Sequence, residues 1–319
     1  MKLALVLWNG DVGGAEVMTA SLAGELIGLG AEATIVFVGP VEPLAERLRA
    51  GQIPYRSLSL ARGREVLGHP RRFARLVAGA GADGALLVEC GYMGAALRAG
   101  GYRQPVVAVE HGAILAVGER SRLKRLGLRV ARAAGAWADS AEVAVSEFVL
   151  ERMRAQSRAR KLRVIHNGVE PERFSLPGAP QSPAHDVQER VWVAGFAGRL
   201  IEGKGADDLI RAAALLGGTR PLRVLIAGDG PERGRLEALA GALGVGERVE
   251  FLGLVHDMPR FWQRVDVAVV PSGDFTEACP MTPLEAMAAG KPVVAADNGG
   301  LGEIVLDGEI GRASCRERV

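Results

Sequence analysis

Residues 5–16 read LVLWNGDVGGAE: an apolar run ends in Asn9-Gly10-Asp11-Val12-Gly13-Gly14, and Val17, Met18 and Leu22 then recur at helical spacing. A buried strand turning through glycines into a helix is the opening unit of a parallel α/β sheet. Such a turn also suits phosphate, because glycine admits close backbone approach and a helix N-terminus presents unpaired N–H groups with a partial positive charge. On these residues alone, phosphate contact and a turn that only packs helix on strand are equally supported. A nicotinamide dinucleotide is disfavoured. Its fingerprint is G-x-G-x-x-G with an acidic residue about 20 positions on. Here Gly10 is followed by Gly13 and Gly14, and the second strand, ATIVFV (33–38), ends in Gly39-Pro40.

The alternation continues outward from this unit. Strand-like runs LALVLW (3–8), ATIVFV (33–38), ALLVE (85–89), VVAVE (106–110) and EVAVS (142–146) alternate with helical patterns near 14–29, 41–50, 69–79, 93–99 and 119–134, and RVIHNGV (163–169) adds a short last strand. The stretch EPERFSLPGAPQSPAHDVQER (170–190) is rich in Pro and polar residues and lacks periodicity, as a linker does. The pattern then restarts with VWVAGFAG (191–198), LRVLIAGDG (222–230), RVEFLG (248–253), DVAVVPS (266–272) and KPVVAA (291–296), with helices expected near 204–216, 231–243, 257–264 and 281–289. The expected organisation is a first α/β domain over 1–170, a linker over 171–190, a second α/β domain over 191–309 and a tail over 310–319. Two doubly wound parallel-sheet domains in series face a central cleft, with ligands at the C-terminal strand edges.

Bulk properties bound the class. With 319 residues, 48% hydrophobic and 24% charged, the chain has enough apolar surface for two cores. Cys90, Cys279 and Cys315 lack metal-ligand spacing, so neither a zinc site nor a disulfide framework is expected, and a reducing cytoplasm fits. Met1-Lys2 leads into one strand's length of apolar residues rather than a signal sequence, and no apolar stretch is long enough to span a bilayer. The net charge of +2 hides an asymmetry, about +8 over residues 1–165 and about −6 over the rest. Much of the excess lies in RSRLKRLGLRVARAAG (120–135) and RMRAQSRARKLR (152–163). In the first, Leu123, Leu126, Val130 and Ala133 recur between basic residues, giving a basic amphipathic helix over 119–134. It reads either as a solvated face or as attraction to an anionic membrane surface or anionic acceptor. Nucleic acid is not expected as a partner, since no aromatic residues interleave with these charges.

Two stretches carry chemistry. GFAGRLIEGKGADDLI (195–210) places Arg199 and Lys204 in a glycine turn before a helix; a guanidinium fork and an ammonium beside a helix N-terminus suit a diphosphate. PSGDFTEACPMTPLEAMAAGKPVVAADNGGLGEIV (271–305) places Glu277 in a loop and Glu285 in the following helix. A carboxylate there can accept from the paired hydroxyls of a ribose, or can simply complement the helix dipole.

Taken together, GGAE (13–16), EHG (110–112), VSEFV (145–149), HNGVEPERF (166–174), GRLIEGKG (198–205), IAGDGPE (226–232), FLG (251–253) and the E-x7-E segment ending EAMAAGKPVVA (285–295) resemble the retaining GT-B glycosyltransferases of glycosyltransferase family 4. The resemblance covers residues 3 to about 309. It implies two Rossmann-like domains and transfer of a sugar from a nucleoside-diphosphate sugar to an acceptor hydroxyl with retention of anomeric configuration, in cell-envelope polysaccharide or glycolipid synthesis. It implies that Arg199 and Lys204 neutralise the donor diphosphate and that Glu285 holds the ribose. Glu277, with the backbone of Ala278, Cys279, Pro280 and Met281, would line the donor-sugar pocket. Gly13 and Gly14 would bring amides onto the donor phosphates, and His111 would bond a sugar hydroxyl near the reacting centre. The implied donor is a UDP-, GDP- or ADP-sugar and the implied acceptor a carbohydrate or a lipid-linked molecule at the inner membrane face. No metal and no other cofactor is expected, the fixed cations taking the metal's role.

Two departures accompany the resemblance. Cys279-Pro280 stands where relatives often carry Gly or Phe, which leaves the donor sugar open. After LDGE (306–309) the sequence IGRASCRERV has neither helical nor strand periodicity and is expected to be foreign to the family, as in a truncated chain. Rival readings are a nucleotide-sugar epimerase of the same fold and a catalytically silent nucleotide-binding protein.

Overall fold

The computed structural model describes residues 1–11, 13–61, 63–88, 92–112, 133–135, 138–154, 161–175, 191–216, 222–274, 276–306 and 312–315. The chain divides into two units, Met1–Asn167 and Gly168–Val319.

Among the described residues of the first unit, the apolar runs form β1 (Lys2–Leu7), β2 (Glu32–Phe37), β3 (Tyr55–Ser57), β4 (Gly84–Val88), β5 (Val106–Glu110), β6 (Ala141–Ala144) and β7 (Leu162–Val164). They make one sheet in the order β3-β2-β1-β4-β5-β6-β7, with every pairing parallel. Successive strand residues face opposite sides. Ala4 and Val6 of β1 therefore enter one core with Val36, Phe73, Val77 and Leu87, while Leu5 and Leu7 enter another with Ile35, Phe37, Leu44 and Leu48. Burial on both faces is why β1 reads as a continuous apolar run rather than an alternating one. The connecting helices are α1 (Gly14–Gly28), α2 (Leu44–Ala50), α3 (Pro70–Ala80), α4 (Met93–Ala99) and α5 (Glu147–Arg154). The winding reverses between β1 and β4, so the turn after β1 opens at the switch point where such sheets take ligands.

The second unit begins earlier than the linker reading suggests. PERF forms a short helix, α6 (Pro171–Phe174), with proline at a position where its missing N–H is harmless; Phe174 is buried. Then come β8 (Trp192–Ala197), α7 (Ala206–Leu216), β9 (Leu222–Ala227), α8 (Arg233–Ala242), β10 (Val249–Gly253), α9 (Met258–Gln263), β11 (Val267–Val270), α10 (Met281–Ala288), β12 (Val293–Ala296), α11 (Leu301–Ile304) and β13 (Arg312–Cys315). Helix α6 packs on α10. The parallel sheet runs β10-β9-β8-β11-β12-β13, repeating the first unit's topology with its switch point between β8 and β11. Phe196, Leu209, Ile210, Val224, Ile226 and Leu236 form its core.

Strand β13 lies within the stretch 310–319 that shows no strand pattern in sequence. Its register is Val293↔Arg312 through Ala296↔Cys315, so the sheet recruits four residues of that tail by backbone pairing, which apolar periodicity does not report.

Candidate functional site

The loops that follow β8 and β11 meet at the switch point of the second sheet. After β8, Gly198 N–H donates to Ala227 O at 2.9 Å and Leu200 N–H to Asp229 O at 2.9 Å, which ties this loop to the IAGDGPE turn. Gly205 then has φ +77°, and a Cβ there would stand 2.1 Å from Pro271 O. An L side chain is excluded both by the left-handed backbone and by this approach. The close approach brings Lys204 against the β11 loop, where its Nζ lies 2.6 Å from Glu277 Oε1.

Both partners are largely withdrawn from water, with side-chain exposures of 15% for Lys204 and 8% for Glu277. A buried ion pair persists only when its remaining hydrogen-bonding demand is met. Ser272, itself buried, donates its Oγ to the same Glu277 Oε1 at 2.7 Å. Asn298 Nδ2, after β12, donates to Ser272 O and Gly273 O, both at 2.8 Å. Gly300 N–H donates to Glu277 O at 2.8 Å, and Gly299 makes this possible: its φ is +65° and a Cβ would meet Glu277 O at 2.1 Å. Three loops, after β8, β11 and β12, thus converge on Glu277, with Lys204 and Ser272 on its carboxylate and Gly300 on its backbone carbonyl. Ser272 and Asn298 are the residues that sequence motifs missed; their signal was a polar residue just past the end of each strand.

Helix α10 starts beside this cluster. Pro280 is its extended N-cap residue, Met281 its first residue, and Thr282 Oγ1 donates to Ala197 O at 3.0 Å, tying the helix start to the end of β8. Ala278 and Cys279 are buried. Glu285 sits one turn into the helix, half-buried, and its Oε2 accepts a long 3.5 Å bond from the indole N–H of the fully buried Trp262. Arg199 is exposed, and among the described residues its guanidinium has no ion-pair partner.

The other expected site residues belong to the first unit. Of the opening glycines, Gly10 is the packing residue: a Cβ would lie 1.7 Å from Val41 O, and its N–H and C=O bond Pro40 O and Leu44 N–H. Gly13 is the N-cap of α1 and Gly14 the first helical residue, with Glu16 in the first turn. A Cβ at Gly13 would stand 2.5 Å from Glu16 Oε2. His111 follows β5. Its Nε2 is buried with no hydrogen-bond partner among the described residues, and burial lowers its pKa to about 4, so the imidazole is neutral near pH 7. The basic segment 119–134 lies, except for Ala133 and Ala134, outside the described residues. Among the described residues there is no metal-binding group of three or more His, Cys, Asp or Glu, and no helix long and apolar enough to cross a membrane.

Comparison with known proteins agrees with this architecture. Residues 12–173, just over half the chain, match the family model described as Glycosyltransferase Family 4, and residues 180–314 match that described as Glycosyl transferases group 1. The second match runs into the 310–319 stretch. An uncharacterised glycosyltransferase of Methanocaldococcus jannaschii is 37% identical over 152 residues, 46% of this chain and 38% of that protein. A D-inositol 3-phosphate glycosyltransferase of a Mycobacterium species is 39% identical over 160 residues, 47% of this chain and 35% of that protein. The matched region therefore spans less than half the length of these relatives. Among solved structures, HepE of Anabaena in complex with UDP and glucose has a TM-score of 0.81 at 24% identity, covering 98% of this chain and 85% of that one. Sucrose-phosphate synthase of Thermosynechococcus elongatus has a TM-score of 0.75 at 19% identity, covering 99% and 86%. These likenesses establish the GT-B fold of two Rossmann-like domains.

Proposed function

The chain belongs to glycosyltransferase family 4, and from that premise we propose that it transfers a sugar from a nucleoside diphosphate to an acceptor hydroxyl with retention of anomeric configuration. The observation that carries this reading is the Lys204–Glu277–Ser272 cluster at the switch point of the second sheet, with the exposed Arg199 on the same loop as Lys204. A cleaving glycosidic bond delivers negative charge to the diphosphate. Fixed cations that meet it more strongly in the transition state than in the ground state accelerate the step. Lys204 and Arg199 are placed in that role and Glu285 on the ribose. Glu277 and the backbone of residues 278–281 receive the sugar. His111, neutral near pH 7 and with its Nε2 unmet among the described residues, bonds a sugar hydroxyl; Gly13 and Gly14 offer amides to phosphate. No divalent metal is required in this scheme. That HepE was solved with UDP supports a nucleotide-sugar donor. The acceptor is taken to be a carbohydrate or a lipid-linked molecule in envelope synthesis.

The test is a thermal-shift panel with UDP, GDP and ADP on the chain and on Glu285→Ala. A ligand that binds only the folded state at 100 times its Kd stabilises by about 2.7 kcal/mol. One diphosphate is expected to raise Tm by a few degrees and to do so no longer in Glu285→Ala. A shift retained in the variant removes Glu285 from the ribose; no shift with any of the three removes the donor site.

A further inference from the structure

The Lys204–Glu277 pair has a consequence beyond holding the donor. A phosphate oxygen that accepts from Lys204 Nζ comes within about 5–6 Å of Glu277 Oε1, because that oxygen already stands 2.6 Å from the ammonium. It cannot easily turn away. Ser272 Oγ holds Oε1 at 2.7 Å, Gly300 N–H holds the Glu277 carbonyl at 2.8 Å, and Asn298 holds the two carbonyls of the Ser272–Gly273 turn. The carboxylate is thus a fixed negative charge beside the phosphate-binding cation, in surroundings of reduced exposure where charges act at longer range than in water.

We propose that Glu277, clamped by Ser272 and Asn298, makes the donor site discriminate by terminal-phosphate charge, favouring a diphosphate whose terminal phosphate is esterified over the free nucleoside diphosphate that transfer leaves behind. The inference rests on the donor site assigned above. An esterified terminal phosphate carries one negative charge; the free one carries close to two above its second pKa of about 6. The added charge faces Glu277 as well as Lys204, so the carboxylate cancels much of what the ammonium offers it. The same group that receives the sugar thereby lowers the affinity for spent product. Ser272, which holds the carboxylate, and Asn298, which holds the Ser272 and Gly273 carbonyls, act as positioning residues in this scheme.

Calorimetric titration at pH 8 tests this with UDP, GDP, ADP and the terminal methyl ester of each, on the chain and on Glu277→Gln, which keeps an oxygen for Lys204 and Ser272 but removes the charge. In the unaltered protein the ester of the bound nucleotide is expected to bind at least about threefold more tightly than the free diphosphate. In Glu277→Gln the free diphosphate is expected to gain about tenfold and the ester much less, which erases the preference. A free diphosphate that binds as tightly as its ester, or a preference unchanged in the variant, overturns the proposal. Should the variant not fold, the unaltered protein is titrated at pH 5, where the terminal phosphate is mostly singly charged and the preference must shrink; a preference equal at both pH values overturns it equally. If none of the six compounds binds, the donor site itself falls, a result distinct from binding without discrimination.

Discussion

Two buried titratable groups of the first unit pull its stability in opposite directions with pH. Asp139 has a buried Oδ1 without a hydrogen-bond partner among the described residues. Its pKa is pushed up to about 7, first by burial and then by Glu142, with Arg98 opposing. Between the ordinary value of 3.8 and about 7 the unfolded chain has released this proton while the folded chain keeps it. Stability is therefore lost as pH rises through that window and stays low above it. Asp139→Asn is expected to raise Tm at pH 8 by several degrees, with the gain vanishing near pH 4; equal changes at both pH values in a melting series would reject this account. His111 has the reverse sign. Its folded pKa of about 4 lies below the ordinary 6.5, so the unfolded state binds more protons as pH falls between them, and stability drops on the acid side. His111→Asn is expected to flatten that acid limb, and a limb of unchanged slope would mean that another group carries it.

At the scale of elements, the glycines that close the loops separate backbone strain from packing. Gly244, just beyond α8, has φ +70° with open space around its missing side chain, whereas Gly205 has φ +77° and faces Pro271 O. Gly244→Ala should cost about 1 kcal/mol of backbone strain alone. Gly205→Ala should cost clearly more in a denaturant series and also weaken nucleotide binding, because the β8 loop must retreat from β11 and take Lys204 with it. Similar losses at the two sites would show that the approach of these loops is relaxed at little cost. This is also the scale at which sequence reading succeeded and stopped. Helix α7 (Ala206–Leu216) and helix α10 (Met281–Ala288) fall within the expected 204–216 and 281–289, because each presents several turns of apolar spacing. Strands β3 and β13 and helix α6 read YRS, RASC and PERF, with no apolar run for a pattern to register, and owe their existence to neighbours already in place. The glycine turn points to Lys204 as a site residue, and the family resemblance implies Glu277. Their direct pairing was not legible, nor was the clamp of Ser272 and Asn298, since groups separated by 73 residues meet only after the sheet is built.

For the whole molecule, each unit has its own core and its own switch point, and the two cations proposed for the diphosphate, Arg199 and Lys204, belong to the second. Ligand stabilisation acts through the states that bind, so the free energy of a bound diphosphate is spent on openings that disrupt the loops holding Lys204, Glu277 and Glu285. Hydrogen exchange followed by peptide mass analysis is expected to show slower exchange in residues 198–205 and 276–300 on addition of the diphosphate identified by thermal shift. Exchange in the interior strands β1 and β4, which sit between buried layers of the first unit, is expected to stay as slow as before. Protection confined to the first unit would relocate the donor away from the second. Protection at 276–300 without change at 198–205 would keep Glu285 but remove Arg199 and Lys204 from the phosphates. The measurement thus assigns the nucleotide to a sheet edge independently of any turnover, and it does so before the acceptor is known.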